Sequence, residues 1–224
     1  MAHKGFSKYF RGVAAVPKIV DHDERRMELV DATWRIIARH GMEGATMREI
    51  ATEAGFANGA LKPYFPTKDT LLEFAFGHVF NRTNQRIAQV TEGKSGLDAL
   101  RAFCLEVLPL DEERINEARI VIPFWQKAVN DPQKAAIHRQ SMDEWLAAIR
   151  RFLAEARDSG DIHAAVDDST LAGQLLNMLL GAQIEAALAA EGHTDFGHAE
   201  QLEGYLALLG KNTTADGRQS GKHA

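Results

Sequence analysis

Several side chains between positions 46 and 62 have the chemistry needed to contact duplex DNA. Asn58 can pair bidentately with adenine, and Lys62 can donate to the O6 or N7 atom of guanine. Gly59 and Ala60 lie between them and are small enough for close approach, and Ala60 could meet a thymine methyl group. Thr46 offers a hydroxyl and, at a helix N-terminus, a backbone N–H that could bind a phosphate.

Local signals in the sequence predict the helices that would position these side chains. Thr46 and Glu49 are spaced as a capping box, which begins a first short helix. Gly55 stands where a left-handed residue would end that helix, and a second short segment runs from Asn58 to Leu61. Two helices separated by a turn of about four residues form a helix-turn-helix, whose second helix enters the major groove.

A longer helix is expected before this pair, because two short helices are not stable alone. Asp21 and Glu24 are spaced as a capping box, and His40-Gly41 is expected to end the helix. Trp34 would pack behind the helix-turn-helix. The core of this unit is then predicted to include Met47, Ile50, Ala51, Ala54, Phe56 and Leu61.

The same stretch resembles the TetR family of transcriptional regulators, from Arg25 to Phe76. The matching positions are Ala45-Thr46, Ile50-Ala51, Ala54-Gly55-Phe56, Gly59, Leu61, Tyr64-Phe65, Lys68 and Leu71-Leu72. The resemblance implies a cytoplasmic homodimer that binds an operator in double-stranded DNA and is released by a small-molecule effector, most often as a repressor. It also implies that Tyr64 and Lys68 clamp phosphates. A cation in the first turn of a helix is unfavourable without a nearby anion, which suits a phosphate partner for Lys68.

Two positions depart from the family pattern. Ala57 stands where a hydroxyl residue usually caps the recognition helix, and Lys62 stands where a tyrosine is usual. Alanine cannot cap, which removes about 1 kcal/mol of support from the start of that helix. Pro63 disfavours a helical conformation at Lys62. We therefore expect a short recognition helix that ends near Leu61 or Lys62.

The chain as a whole is predicted to be all-α, with about nine helices. Residues 1–20 form a basic arm, residues 21–68 a three-helix DNA-binding head, residues 69–210 a larger helical bundle, and residues 211–224 a disordered tail. The fourth helix, from Asp69 to about Thr91, bridges head and bundle. Ser95 with Asp98 is expected to cap the next helix, and Pro123 is expected to kink or split the one after it.

The bundle offers two further candidate sites. Aromatic and methionine residues at helical spacing could line an effector pocket, although such residues also form ordinary cores, and they are Phe103, Leu108, Phe124, Trp125, Met142, Trp145 and Met178. The resemblance places a four-helix dimer interface on the last two major helices. An internal core helix is the alternative for the residues that we assign to this interface, which are Leu171, Leu175, Leu179, Ala182 and Ala186.

Charge is distributed unevenly along the chain. Residues 1–68 carry a net charge of +3 and the remainder −8, giving the overall −5. Basic charge therefore lies beside the helix-turn-helix, where phosphates would attract it. The first twenty residues contain four basic side chains and no acidic one, so they form either a solvated tail or an arm that follows phosphates or the minor groove.

Composition and motifs disfavour other classes of protein. No continuous apolar run reaches the length of a membrane span, and a single cysteine, Cys104, suits a buried position in a reducing cytoplasm. No metalloprotease, nucleophile-elbow or phosphate-loop motif occurs, so we expect no enzyme, no cofactor and no metal; His193 and His198 have loop-like spacing. The remaining alternative is a helical small-molecule-binding or interaction protein that does not read DNA.

Overall fold

The computed structural model describes residues 22–57, 59–189 and 196–210. These residues form an all-α fold, which confirms the expected class, with eight helices rather than about nine. The helices are α1 (His22–Gly44), α2 (Met47–Glu53), α3 (Lys68–Thr91), α4 (Gly96–Val107), α5 (Glu112–Ala128), α6 (Pro132–Asp158), α7 (Asp168–Leu188) and α8 (His198–Leu209). The basic arm, the C-terminal tail and Asn58 lie outside the described residues.

Helix α1 is longer than the sequence signals indicate. It passes through Gly41 and ends at Gly44, so the prediction that His40-Gly41 ends it is wrong. A glycine inside a helix is unfavourable by only about 1 kcal/mol, which the packing of a buried face can offset. Ile36, Ile37 and Ala45 on either side of this glycine are buried, and they hold the last turns in place.

The caps of α2 are those that the sequence predicts. The Thr46 hydroxyl accepts a hydrogen bond from the backbone N–H of Glu49, and the Glu49 carboxylate accepts one from the N–H of Thr46. At the other end, the N–H groups of Gly55 and Phe56 donate to the carbonyls of Thr52 and Ala51. Gly55 has a φ of +73°, the left-handed conformation that this Schellman ending requires.

The second short helix of the predicted helix-turn-helix is not present as an α-helix. Residues 59–64 form successive turns, with hydrogen bonds from Ala60 N to the Ala57 carbonyl and from Lys62 N to the Gly59 carbonyl. Gly59 has a φ of +90°, which an α-helix does not accommodate. The absence of a cap at Ala57 and of an N–H at Pro63 explains why no regular helix forms here.

Two buried clusters form the core, one in the head (the head cluster) and one in the bundle (the bundle cluster), and α3 contributes to both. The N-terminal half of α3 packs in the head cluster through Leu71, Leu72 and Phe76, whereas Ile87 belongs to the bundle cluster. Helix α5 also enters the head cluster, through residues that include Val121 and Phe124. The head is therefore built against the bundle, and a displacement of α3 or α5 acts on both clusters.

Helix α4 begins where the chain passes very close to α6. Gly96 has a φ of +55°, and a Cβ added to it would lie 3.3 Å from the Cα of Ala156. The N–H of Gly96 donates to the Glu155 carboxylate at 3.0 Å, and the expected Ser95 side-chain cap is absent. A contact from another helix has therefore replaced a local cap.

Helix α5 is continuous through Pro123, so of the two expected effects, a kink or a split, the split does not occur. Proline removes the hydrogen bond to the carbonyl four residues earlier, here Arg119. The flanking side chains Ile120 and Phe124 are fully buried, and their packing keeps the two halves in one helix.

Helix α7 is unusually apolar for a helix at the surface. Its length and mean hydropathy of 1.2 would suffice to cross a membrane, a property that core helices of soluble proteins share. One face of α7 packs in the bundle cluster, while Ile184 and Leu188 lie on its other side and are exposed. The high hydropathy thus arises from a buried face and a partly apolar exposed face.

Candidate functional site

The turn segment of the head, residues 59–64, is held in place by two buried side chains, one within it and one directly after it. Leu61 and Phe65 are 2% and 3% exposed and belong to the head cluster. Tyr64 packs edge-on against Phe56 with ring centroids 5.9 Å apart, and Arg25 lies over the Phe56 ring. The segment is irregular in backbone but held on both sides by the core of the head.

The candidate base-reading residues lie on this anchored segment. Gly59 and Lys62 are exposed and Ala60 is half-buried. Tyr64 and Lys68, the expected phosphate clamps, are also half-buried, with Lys68 at the first position of α3. The arrangement can present a cation and a small-residue surface to a duplex, on turns rather than on a regular helix.

Thr46 is placed differently from the expectation that its groups are open to a phosphate. Its hydroxyl donates to the Glu49 carboxylate at 2.7 Å, and its N–H donates to the same carboxylate at 3.1 Å. Both donors are therefore occupied, and the neighbouring carboxylate would repel a phosphate. Thr46 is a helix cap in this structure.

Arg48 is a candidate phosphate contact that the sequence argument missed. It is exposed in the first turn of α2, where the partial positive charge of the helix N-terminus already favours an anion. A cation is unfavourable at this position unless an external anion neutralises it. Like Lys68, Arg48 is a cation in the first turn of a helix, and this position is the sequence signal that identifies it.

A narrow cavity of about 40 Å³ lies in the bundle, lined by α3, α4, α5, α6 and α7. It has room for a few water molecules and not for an organic effector. Its lining residues are Phe76, Val79, Phe80, Thr83, Val107, Glu117, Val121, Trp125, Met142, Trp145, Leu180 and Gln183.

Three of the seven predicted pocket residues line this cavity, namely Trp125, Met142 and Trp145. Phe103 and Phe124 form a second layer behind it: Phe103 meets Trp145 edge-on at 6.0 Å, and Phe124 stacks on Phe76 at 4.0 Å. Leu108 is fully buried and Met178 packs at the side of the bundle cluster, and neither lines the cavity. Helical periodicity shows which residues are buried but not which of them surround a gap.

Glu117 is the charged residue among the described residues that line the cavity. Its two carboxylate oxygens each accept one hydrogen bond from Arg86 on α3, at 2.9 and 2.8 Å. Arg86 also donates to Glu106 on α4 and to Thr83, and Glu106 accepts from Arg114 at 2.9 Å. These two carboxylates, which are mainly responsible for raising the pKa of the Arg86 guanidinium, join three helices at the cavity wall.

Two aromatic side chains of the cavity have contrasting polar contacts. The indole N–H of Trp145 donates to the Asn84 side chain on α3 at 2.8 Å, so this wall is also tied to α3. The Nε1 of Trp125 is buried and has no hydrogen-bond partner, and neither does the Nδ1 of His138, whose ring lies 5.5 Å from that of Trp125. Burial lowers the pKa of His138, which therefore favours the neutral form.

The five residues assigned to a dimer interface are buried in their own protomer. Leu171, Leu175, Leu179, Ala182 and Ala186 are at most 5% exposed, and all lie on the core face of α7. These five residues form the most apolar stripe of α7, and that stripe packs in the core of the protomer. The exposed stripe on the opposite side includes Gln174, Asn177, Gly181, Ile184 and Leu188, with the exposed Glu185 beside it.

Cys104 and His198 are both buried inside the fold. Cys104 is fully buried, as predicted, and burial raises the pKa of its thiol. His198 stacks on Phe196 with ring centroids 5.1 Å apart. Within residues 22–57, 59–189 and 196–210, no three His, Cys, Asp or Glu side chains form a group that could hold a metal ion.

Both parts of the chain match known protein families. Residues 29–74 match the family described as bacterial regulatory proteins, tetR family. Residues 97–210 match the family described as BetI-type transcriptional repressor, C-terminal. The two matches correspond to the head and to the bundle.

Individual proteins are similar over most of their length. The HTH-type transcriptional regulator PksA of Bacillus subtilis is 33% identical over 174 residues, which cover 77% of this chain and 83% of PksA. The HTH-type transcriptional regulator BetI of Burkholderia lata is 28% identical, over 71% of this chain and 87% of BetI. A transcriptional regulator from Saccharomonospora viridis, solved in complex with choline, has the same fold with a TM-score of 0.74 at 20% identity, over 83% of this chain and 96% of that one.

Proposed function

Since the chain belongs to the TetR family of DNA-binding transcriptional regulators, which are not enzymes, we propose that it is a cytoplasmic homodimeric repressor released from its operator by an organic cation. The head binds duplex DNA, and the cavity of the bundle binds the effector. The observation that carries the choice of effector is the cavity wall, in which a carboxylate lies among aromatic rings.

DNA contact is assigned to the end of the head that carries the turn segment. Lys62 reaches a base edge from between Gly59 and the anchored Tyr64, and Ala60 faces the groove beside it. Lys68 and Arg48 neutralise phosphates, each from the first turn of a helix. Thr46 contributes by fixing the start of α2, which positions Arg48.

The chemistry of the cavity favours a weakly hydrated cation. Phe76, Phe80, Trp125 and Trp145 line the cavity with aromatic rings, a class of group that attracts cations. Each carboxylate oxygen can accept two hydrogen bonds, and each oxygen of Glu117 receives one, from Arg86, so acceptor capacity remains. The complex of a fold neighbour with choline is consistent with a ligand of this class.

Effector binding must enlarge the cavity, because its present volume of about 40 Å³ is too small for such a ligand. Met142 is the most adaptable wall residue, and most of the other lining residues belong to the helices α3 and α5. A ligand that fits only the enlarged cavity favours the conformation with displaced helices. The resulting movement of α3 changes the spacing of the two heads.

Dimerisation is assigned to the exposed stripe of α7 together with α8. Gly181 allows close approach of a second helix, and Ile184 and Leu188 supply apolar area. On α8, Gly204 and Leu208 are also exposed. Packing these helices against their copies would form a four-helix interface and set the two heads about 34–36 Å apart, for successive major grooves.

A titration of the operator complex tests this proposal. A duplex selected from a random pool is labelled, and its release from the protein is followed by fluorescence anisotropy during addition of choline, tetramethylammonium and longer quaternary amines. Neutral compounds of the same shape serve as controls. Release by at least one cation and not by its neutral counterpart supports the proposal, whereas indifference to the whole set rejects an organic cation as effector.

A further inference from the structure

We propose, on the basis of the function proposed above, that Glu117 couples the cavity to DNA binding by exchanging its charge partner. In this structure the Glu117 carboxylate holds Arg86 of α3. A cationic effector takes part of that carboxylate's charge, which loosens Arg86 and with it the bridging helix α3.

Glu117 is placed to contact both partners. It lines the cavity, and its side chain is 6% exposed. Through Arg86 it forms a two-pronged bond to the middle of α3, where Thr83, one turn earlier, also lines the cavity. A buried carboxylate needs a charge partner, so a second cation in the cavity must share Glu117 with Arg86.

Arg86 can yield this bond without becoming an isolated charge. It retains its bond to Glu106 on α4 and its contact with the Thr83 hydroxyl. His78, which also faces Glu117, does not compete strongly, since burial lowers its pKa and Arg82 adds to the same effect. The exchange therefore shifts Arg86 from bonds to both α4 and α5 to a bond mainly to α4.

The chain contains a matched pair that lacks the cavity contact. Arg82 and Glu113 join the same two helices four residues, about one turn, away from Arg86 and Glu117. That pair is largely exposed, and neither residue lines the cavity. Removal of the Glu113 charge changes an ionic tie between α3 and α5 without changing the effector site.

The test compares Glu117→Gln with Glu113→Gln in the full chain. Three quantities are measured: operator affinity without effector, the factor by which choline weakens it, and the preference for choline over its neutral isostere 3,3-dimethyl-1-butanol. For the wild type we expect choline to weaken operator binding about 5- to 100-fold. Glu117→Gln should bind operator several-fold more weakly without effector, respond less than about twofold to choline, and lose the preference for the cation. Glu113→Gln should behave as the wild type.

Each outcome decides a separate point. Equal responses of the two variants, with a normal wild type, overturn the role of Glu117 while the proposed effector class stands. A wild type that binds no quaternary amine rejects both proposals. Where Glu117→Gln does not fold, Glu117→Asp keeps the charge but withdraws it by one methylene. An at least fivefold smaller choline response then supports the coupling, and an unchanged response contradicts it.

Discussion

At the scale of single residues, the position of each cation in the head determines its role. Lys62 is exposed directly beside the buried Leu61, so its charge is held near the surface that we propose faces DNA. Lys68 begins α3, where we propose that a DNA phosphate relieves an unfavourable interaction with the helix dipole. A lysine that contacts a base edge can select sequence, whereas a lysine that contacts a phosphate adds affinity for any duplex.

Substitution of each lysine by alanine should separate these roles. We expect Lys62→Ala to lose about 1–3 kcal/mol of discrimination at one base pair of each half-site. Lys68→Ala should weaken all duplexes alike and reduce the slope of log affinity against log salt by about one per protomer. Lys94→Ala, in the loop that follows the far end of α3, is the control and should change neither quantity. Equal losses on specific and random duplexes for Lys62→Ala would contradict a base contact.

Thr46 and Arg48 offer a second separation, between stability and DNA affinity. Thr46→Ala removes the capping box and should lower the free energy of unfolding by about 1 kcal/mol, with an unchanged salt slope. Arg48→Ala should leave the free energy of unfolding within about 0.5 kcal/mol and reduce the salt slope. Chemical denaturation and salt-dependent anisotropy measure the two effects. A reduced salt slope for Thr46→Ala in a fully folded protein would restore it as a phosphate contact.

At the scale of elements, local sequence signals predicted helix ends that are capped by nearby residues, but not those that are set by packing between helices. The capping box at Thr46 and the left-handed Gly55 depend on residues a few positions apart, so the sequence predicted them correctly. The cap of α4 comes instead from Glu155, 59 positions away, which no local pattern reveals. The turn segment was predicted as a helix because the sequence does not reveal that the φ of Gly59 is positive. The five residues predicted for the dimer interface are buried in their own protomer, because apolar periodicity does not distinguish a core from an interface.

Gly96 tests the close packing of α4 on α6. Gly96→Ala combines a positive φ with a contact of 3.3 Å to backbone, and we expect a loss of about 2–3 kcal/mol in the free energy of unfolding. Gly93→Ala has a φ of +70° with no atom within 4 Å of the added Cβ, so only the conformational part, about 1 kcal/mol, should be lost. Urea unfolding of both variants gives the comparison. Equal losses would show that the contact with Ala156 relaxes easily.

At the scale of the whole molecule, shared helices connect the DNA-binding head to the bundle that we propose senses the effector. Helix α3 contributes to both cores, and α5 reaches the head core through Phe124 while lining the cavity with Glu117. Only three of the seven predicted pocket residues line the cavity, since its location depends on how five helices meet. The overall architecture followed from the sequence because helical periodicity and the resemblance of the head agree.

The dimer face predicts a specific oligomeric change. Ile184 is 46% exposed on the outer stripe of α7, and Ile184→Glu would place two carboxylates against each other across a twofold axis. We expect a folded monomer with operator affinity reduced at least about 100-fold, measured by sedimentation and anisotropy. Val166→Glu, at a residue 42% exposed just before α7, is the matched control and should remain dimeric. A dimeric Ile184→Glu protein would place the interface elsewhere.

Selection of bound duplexes from a random pool, at low ionic strength and without effector, tests the central claim most directly. The account predicts enrichment of an inverted repeat whose half-sites lie about one helical turn apart, because two heads related by a twofold axis read successive major grooves. Lys62→Ala should relax one position in each half of that repeat. A pool that remains random after repeated rounds, or a protein that binds no double-stranded DNA, would contradict the assignment of this chain as an operator-reading regulator.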